Sequence, residues 1–206
     1  MFRVDAQHSY APPHQGPDWY GKILARNKFE ASVYSPHEGS IADAIALAAA
    51  HPYIKRIVPR LAPDELSTLP DHPLIVSVRL TDPTPAALAE LARRGLAAEI
   101  DAARWPVETA LPIALDGLPD SADLPPHVYV KLTGFRLPPS PERALRLRQL
   151  LRHPGPERLM YASGWPHGGG TWKETLAAFT QSLGAMPMEL REQLLGGTAR
   201  EFYRLA

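Results

Sequence analysis

Cysteine is absent from the 206 residues. The chain therefore has no disulfide, no thiolate nucleophile and no cysteine-bound metal centre, so any metal would need His, Asp or Glu ligands. A surplus of charge is also absent, because 22 Lys and Arg balance 22 Asp and Glu. Without a basic surplus, we expect neither nucleic acid nor a membrane as a partner, and a small molecule fits better.

Long apolar runs are missing as well. No stretch approaches the roughly 20 apolar residues that a membrane span needs, and residues 1–5 have no basic region followed by an apolar run. We therefore expect a soluble, cytoplasmic protein with one domain over residues 1–206. No Gly-x-Gly-x-x-Gly turn follows the first apolar segment, which argues against an open doubly wound sheet, the structural alternative.

Short apolar segments alternate with helical patterns along the whole chain. This rhythm predicts parallel strands at residues 2–6, 31–34, 54–58, 74–80, 97–100, 112–116, 128–132 and 158–163. Ser40 and Thr171 are predicted N-caps of intervening helices. Because little room is left for a helix between residues 101 and 112, the predicted fold is α/β, a compact (β/α)8 TIM-like barrel with abbreviated helices.

Glycines punctuate the C-terminal part of the chain. A predicted strand stops at Gly164, and Gly168, Gly169 and Gly170 extend the loop that follows. Further on, Gly196 and Gly197 are predicted to break a helix, which Thr198 would restart as N-cap. Residues 141–152 are predicted to form a helix, and its four arginines are predicted to form a solvated basic face.

The run ERLMYASGWPH, residues 157–167, resembles the last strand of the amidohydrolase-related (amidohydrolase 2) family, which typically reads ERLMFGSDWPH. The opening Asp5-Ala6 and the run VYVKLTG at residues 128–134 are similar to family motifs too. The resemblance implies a TIM-like barrel and a place among metal-dependent hydrolases, decarboxylases and lactone hydrolases.

The chain departs from the family pattern where the chemistry is expected. The resemblance implies histidines at alternate positions of the first strand, which here hold Gln7 and Ser9, and a catalytic aspartate where this chain has Gly164. We therefore expect no metal and no other cofactor. A weak metal site rebuilt from His8, Asp116 and His167 is the alternative; regular alternation turns His8 away from the barrel mouth, and a bulge could turn it back.

Active sites of such barrels form at the carboxyl ends of the strands. His167 is the candidate general acid–base, because histidine titrates near neutrality; alternatively, it caps the adjacent turn. Asp116, or else Asp101, is the candidate that activates water in place of the missing aspartate.

The candidate substrate-binding residues are Arg60, Arg79, Lys131, Trp165, Gln7 and His8. The three cations can hold a carboxylate or a lactone carbonyl, or they can pair with nearby aspartates instead. Trp165 is either a wall for the ligand or core packing, and packing is the favoured interpretation.

These observations favour an enzyme: a metal-independent, lactonase-like hydrolase or related lyase that acts on a small carboxylated or lactone substrate. The alternative is a catalytically degenerate barrel, a pseudoenzyme that binds a small molecule or a protein. A homodimer is compatible with the family's frequent self-association.

Overall fold

The computed structural model describes residues 2–10, 16–37, 39–167 and 170–206. Within these ranges the strands are β1 (Val4–His8), β2 (Ala31–Tyr34), β3 (Ile54–Ile57), β4 (Arg60–Leu61), β5 (Ser77–Leu80), β6 (Ala97–Asp101), β7 (Ile113–Asp116), β8 (Val128–Leu132) and β9 (Leu159–Tyr161). Every pair of neighbouring strands is parallel. Gly168 and Gly169, which were predicted to extend a loop, lie outside the described residues.

The strands close into a ring. β1, β2 and β3 form one sheet and β4 to β9 another, and two parallel bridges join them, His8 with Trp165 and Ile57 with Ile75. β3 and β4 are two pieces of one strand, interrupted at Val58 and Pro59. The described chain thus has eight strand positions around a barrel, as predicted, and the doubly wound alternative is wrong.

Helices cover the outside of the ring. They are α1 (Pro17–Arg26), α2 (Ile41–Ala50), α3 (Pro85–Arg93), α4 (Pro141–Arg152), α5 (Trp172–Leu183), α6 (Met188–Glu192) and α7 (Thr198–Phe202). Ser40 and Thr171 each cap a helix with a reciprocal capping box, as predicted. Between β6 and β7 the chain makes only a short 3-10 turn, Ala102–Arg104, so the expectation of abbreviated helices is confirmed.

The predicted break at Gly196 and Gly197 is wrong. α6 continues through a wide π-helical turn, Gln193–Gly197, directly into α7. A Cβ on Gly196 would lie 2.1 Å from the carbonyl oxygen of Phe2, so glycine is needed for the close approach of this turn to the chain before β1. Thr198 does not act as a cap, because its hydroxyl donates to the carbonyl of Pro156 at 3.0 Å.

Large side chains pack outside the barrel and small ones inside. The outer layer includes Leu159, Tyr161 and Phe179 between strands and helices. The inner layer is built largely from alanine and valine, with Tyr203 from the end of the chain below it. Small inner residues leave room for long polar side chains to extend toward the carboxyl ends of the strands.

Candidate active site at the carboxyl ends of the strands

A cavity of about 630 Å³ opens where the strands end. Its lining includes, from the predicted set, Gln7, Arg60, Arg79, Asp101, Asp116 and His167, and in addition His37, Thr133, Arg136, Ser140, Arg143 and Gly164. Basic side chains outnumber acidic ones in this lining, although the whole chain is neutral.

Asp116 lies at the centre of this site, at the end of β7. Its carboxylate pairs with the guanidinium of Arg79 and accepts hydrogen bonds from Thr133 Oγ1 at 2.9 Å and from Gln7 Nε2 at 3.4 Å. Burial alone would raise the pKa of Asp116, but the charges of Lys131 and Arg79 and these hydrogen bonds outweigh it and lower the pKa. Asp116 is therefore an ionised, well-oriented carboxylate.

Gln7 reaches the cavity because β1 is irregular. Val4 and Ala6 belong to the inner layer, so alternation counted from these two residues would put His8 inside and Gln7 outside. This phase is the reverse of the one expected from the sequence, in which alternation turned His8 away from the mouth. The strand register shifts between Asp5 and His8, and this bulge reverses the two positions.

His8 is consequently buried rather than presented to a ligand. Its Nδ1 lies 3.0 Å from the carbonyl oxygen of Val33 and its Nε2 lies 3.1 Å from the hydroxyl of Tyr10. Its ring stacks on Tyr20 with centroids 4.2 Å apart, and burial lowers its pKa to about 3. The prediction that His8 binds substrate does not agree with this position, because both ring nitrogens already have partners.

The position of Lys131 also differs from the prediction that this side chain contacts a ligand. The side chain is 0% exposed, and its Nζ contacts Glu99 Oε2 at 2.5 Å. Glu99 itself accepts hydrogen bonds from the hydroxyls of Tyr203 at 2.6 Å and Ser77 at 3.3 Å. Lys131 is not part of the cavity lining, so the predicted direct contact with a ligand is contradicted by its burial in this ion pair.

Trp165 is buried at the edge of the site. Its ring packs on Tyr20, with centroids 5.5 Å apart, and on Trp19, with centroids 5.3 Å apart. It borders only a small annex of about 40 Å³ beside the main cavity. This position agrees with the packing interpretation.

His167 lies at the entrance, exposed to solvent, with its ring centroid 3.9 Å from that of His37. Arg60 reaches the same cavity from β4. Both side chains are accessible to a ligand.

Sequence reasoning missed Arg136 and Arg143. Arg143 was predicted to be solvated on an outer helix face, but it lies in the first turn of α4, where it donates to the carbonyl oxygen of Thr133 at 2.6 Å and lies over the ring of Phe135. Burial and the neighbouring Arg136 charge lower the pKa of Arg143. The available signal was that both arginines closely follow the end of β8.

The side chains that are present do not fit the metal site that the family resemblance implies. Gln7 donates a hydrogen bond to Asp116, Gly164 offers no side chain, and Asp116 is paired with the guanidinium of Arg79. Within the described residues, no group of three or more His, Asp or Glu could hold a metal ion. The alternative site of His8, Asp116 and His167 fails because the nitrogens of His8 have other partners.

Comparison with known proteins supports the same fold. A family model described as amidohydrolase matches residues 112–205. None of the curated protein sequences matches this chain. No helix among the described residues is long and apolar enough to cross a membrane.

Solved structures match over the whole chain. An amidohydrolase from Burkholderia multivorans with bound zinc has a TM-score of 0.79 at 16% identity, covering 100% of both chains. A putative 2-pyrone-4,6-dicarboxylic acid hydrolase from Pseudomonas putida has a TM-score of 0.72 at 21% identity, covering 98% of this chain and 97% of the other. A 5-carboxyvanillate decarboxylase from Sphingomonas paucimobilis has a TM-score of 0.60 at 13% identity, covering 100% and 99%.

The resemblance to the amidohydrolase family is thus confirmed: residues 112–205 match the family model, and the chain has the TIM-barrel fold of solved amidohydrolases.

Proposed function

We propose that this protein is a metal-independent hydrolase or related lyase that acts on a small carboxylated or lactone substrate. The observation that carries the proposal is the cavity lined by Arg60, Arg79, Arg136 and Arg143 around the carboxylate of Asp116. Guanidinium groups bind carboxylates in a planar, bidentate geometry. Four of them at one cavity, in a chain without net charge, favour an anionic ligand.

Two polar atoms of the lining support a ligand-binding cavity. Gln7 Oε1 and Arg143 Nε are buried and have no hydrogen-bond partner within the described part of the chain. A buried polar atom without a partner costs free energy. An anionic ligand that also carries a hydrogen-bond donor can satisfy both atoms.

The proposed reaction uses Asp116 and His167. An anionic group of the substrate binds the arginines and competes for Arg79, which frees one side of the Asp116 carboxylate. Asp116 then takes a proton from water while the water oxygen bonds to the lactone carbonyl carbon. The ring C–O bond breaks, and His167 donates a proton to the departing oxygen.

The structural neighbours support a substrate of this class. One is a putative hydrolase of 2-pyrone-4,6-dicarboxylic acid, and another decarboxylates 5-carboxyvanillate. Both names describe small ring compounds that carry carboxyl groups, and arginine side chains bind carboxylates.

A second candidate function is binding without catalysis. Gly164 offers no carboxylate at the position where the family resemblance implies one, and Asp116 is engaged by Arg79. A degenerate barrel would hold the same small acid and release it unchanged.

An assay of 2-pyrone-4,6-dicarboxylate hydrolysis, monitored as the loss of the substrate's ultraviolet absorbance, separates the two candidate functions. We expect turnover by the wild type and a fall in kcat/KM of about 100-fold or more in Asp116→Asn, as for removal of a general base. Asp120→Asn is the matched control, because Asp120 is exposed and outside the cavity lining. If Asp101→Asn lowered kcat/KM by the same factor and Asp116→Asn did not, Asp101 would be the general base instead of Asp116. Saturable binding without turnover of a panel of carboxylated lactones would support the second candidate instead.

A further inference from the structure

Four charged side chains face one another on four neighbouring strands. They are Arg79 on β5, Glu99 on β6, Asp116 on β7 and Lys131 on β8. Their charges cancel, but their access to a ligand differs. Arg79 and Asp116 line the cavity, whereas Glu99 and Lys131 are 0% exposed.

We propose that Lys131 is the fixed counter-ion of Asp116, a positioning residue that keeps this carboxylate ionised while an anionic ligand occupies Arg79. The inference rests on the proposed function of the cavity. A ligand in the cavity can draw Arg79 away from Asp116, because Arg79 is accessible there. It cannot draw Lys131 away, because that side chain is fully buried, does not line the cavity and is bound to Glu99.

Glu99 and its hydrogen bonds hold the ammonium group in place. Glu99 Oε2 contacts Lys131 Nζ at 2.5 Å, and Glu99 Oε1 accepts from the hydroxyls of Tyr203 and Ser77. Tyr203 is also fully buried. The lysine is therefore held by Glu99, which Ser77 of β5 and Tyr203 near the end of the chain hold in turn. Lys131 is also the register partner of Asp116 on the neighbouring strand.

Lys131 and Arg79 are the two cations whose charges lower the pKa of Asp116. The groups that face Asp116 are these two cations, Gln7, Thr133 and Tyr203, together with Asp101 and Glu99 on the adjacent strand. Gln7, Thr133 and Tyr203 are neutral, whereas Asp101 and Glu99 have the same charge as Asp116. When a ligand neutralises Arg79, the positive charge of Lys131 remains to oppose the cost of burying the carboxylate.

The test is a titration of Asp116 by carbon-13 NMR of the side-chain carboxyl in the substrate-free protein, with Asp116→Asn to identify its resonance. Arg79→Met imitates capture of the guanidinium by a ligand. Glu99→Gln combined with Lys131→Met removes the fixed counter-ion as a neutral pair, so that no unpaired charge is left buried.

In Arg79→Met we expect the pKa of Asp116 to rise while the group stays ionised at pH 7. In the Glu99→Gln/Lys131→Met protein we expect a rise of about one unit or more, because Lys131 is the register partner of Asp116 and Glu99 is not, so the lost positive charge outweighs the lost negative one. A carboxyl that is already neutral at pH 7 in Arg79→Met would overturn the proposal, whether or not the double variant folds. An unchanged pKa in the folded double variant would do the same.

The titration needs no substrate, so its result is independent of the hydrolysis assay. A protein that hydrolyses nothing but shows the expected shifts would contradict the proposed reaction and leave the fixed counter-ion intact.

Discussion

At the scale of single residues, two glycines serve different purposes. Gly164 has a φ of +61°, the left-handed region that favours glycine, yet a Cβ there would come no closer than 3.9 Å to Thr133. Gly196 is helical, but a Cβ there would lie 2.1 Å from the Phe2 carbonyl oxygen and 2.9 Å from Arg3 Cα. Backbone conformation limits the first position, and space limits the second.

The two alanine substitutions should therefore differ in cost. We expect Gly196→Ala to lower the free energy of unfolding by about 3 kcal/mol or more, because the backbone of residues 2 and 3 has to move. Gly164→Ala should cost only about 1 kcal/mol, the strain of a left-handed residue with a side chain. Urea denaturation measures both. If Gly164→Ala proved the more damaging, the close approach at Gly196 would not constrain the fold.

At the scale of secondary-structure elements, Asp5 joins four of them. The carboxylate is fully buried and accepts hydrogen bonds from Tyr20 of α1 at 2.5 Å, Trp172 of α5 at 2.9 Å and the backbone of Ser163 after β9 at 2.8 Å. Burial, which outweighs these hydrogen bonds, raises the pKa of Asp5. Each donor therefore matters to a carboxylate that is already costly to bury.

Tyr20→Phe removes one of these donors. We expect a loss of about 1.5 to 3 kcal/mol in the free energy of unfolding, the usual contribution of a hydrogen bond to a charged group. Tyr161→Phe is the matched control, since the Tyr161 hydroxyl is buried but without a hydrogen-bond partner in the described ranges. That change should be neutral or slightly stabilising in the same chemical denaturation experiment. Equal losses in the two variants would mean that ring packing, not the bond to Asp5, explains the effect of Tyr20.

At the scale of the whole molecule, closure of the barrel brings the guanidinium group of Arg79 to the place where the strand ends converge. Arg79 pairs with Asp116 there. The molecule thus balances the charge of this carboxylate with its own side chains, and neither Gln7 nor Gly164 offers a strong metal ligand.

Metal removal should consequently leave the molecule unchanged. We expect dialysis against EDTA to change neither the unfolding temperature nor any measured turnover. A metal bound to the native state would stabilise it, so removal of such a metal would lower the unfolding temperature. Elemental analysis of the purified protein checks the starting state. Stoichiometric zinc or manganese, with a lower unfolding temperature after its removal, would contradict this prediction.

Much of the fold was predictable because its signals are local. The strand Val128–Leu132 and the helix Pro141–Arg152 have the predicted bounds, since apolar periodicity and a capping serine act within a few residues. The strand predicted from residue 74 begins instead at Ser77, preceded by a single bridge at Ile75. Strand starts depend on a partner strand, which the local pattern does not contain.

The sequence by itself determined the βα rhythm, the helix caps and the lack of thiol chemistry, because each of these follows from residue type and spacing. The departures at Gln7, Ser9 and Gly164 were visible only against the motifs of the family that the sequence resembles. Only the tertiary structure decided which polar side chains reach the cavity. The bulge in β1 turns His8 away from the cavity and not back toward it, and Glu99 holds Lys131 in a buried ion pair. Such outcomes depend on contacts between residues far apart in the chain, and these contacts exist only once the ring has closed.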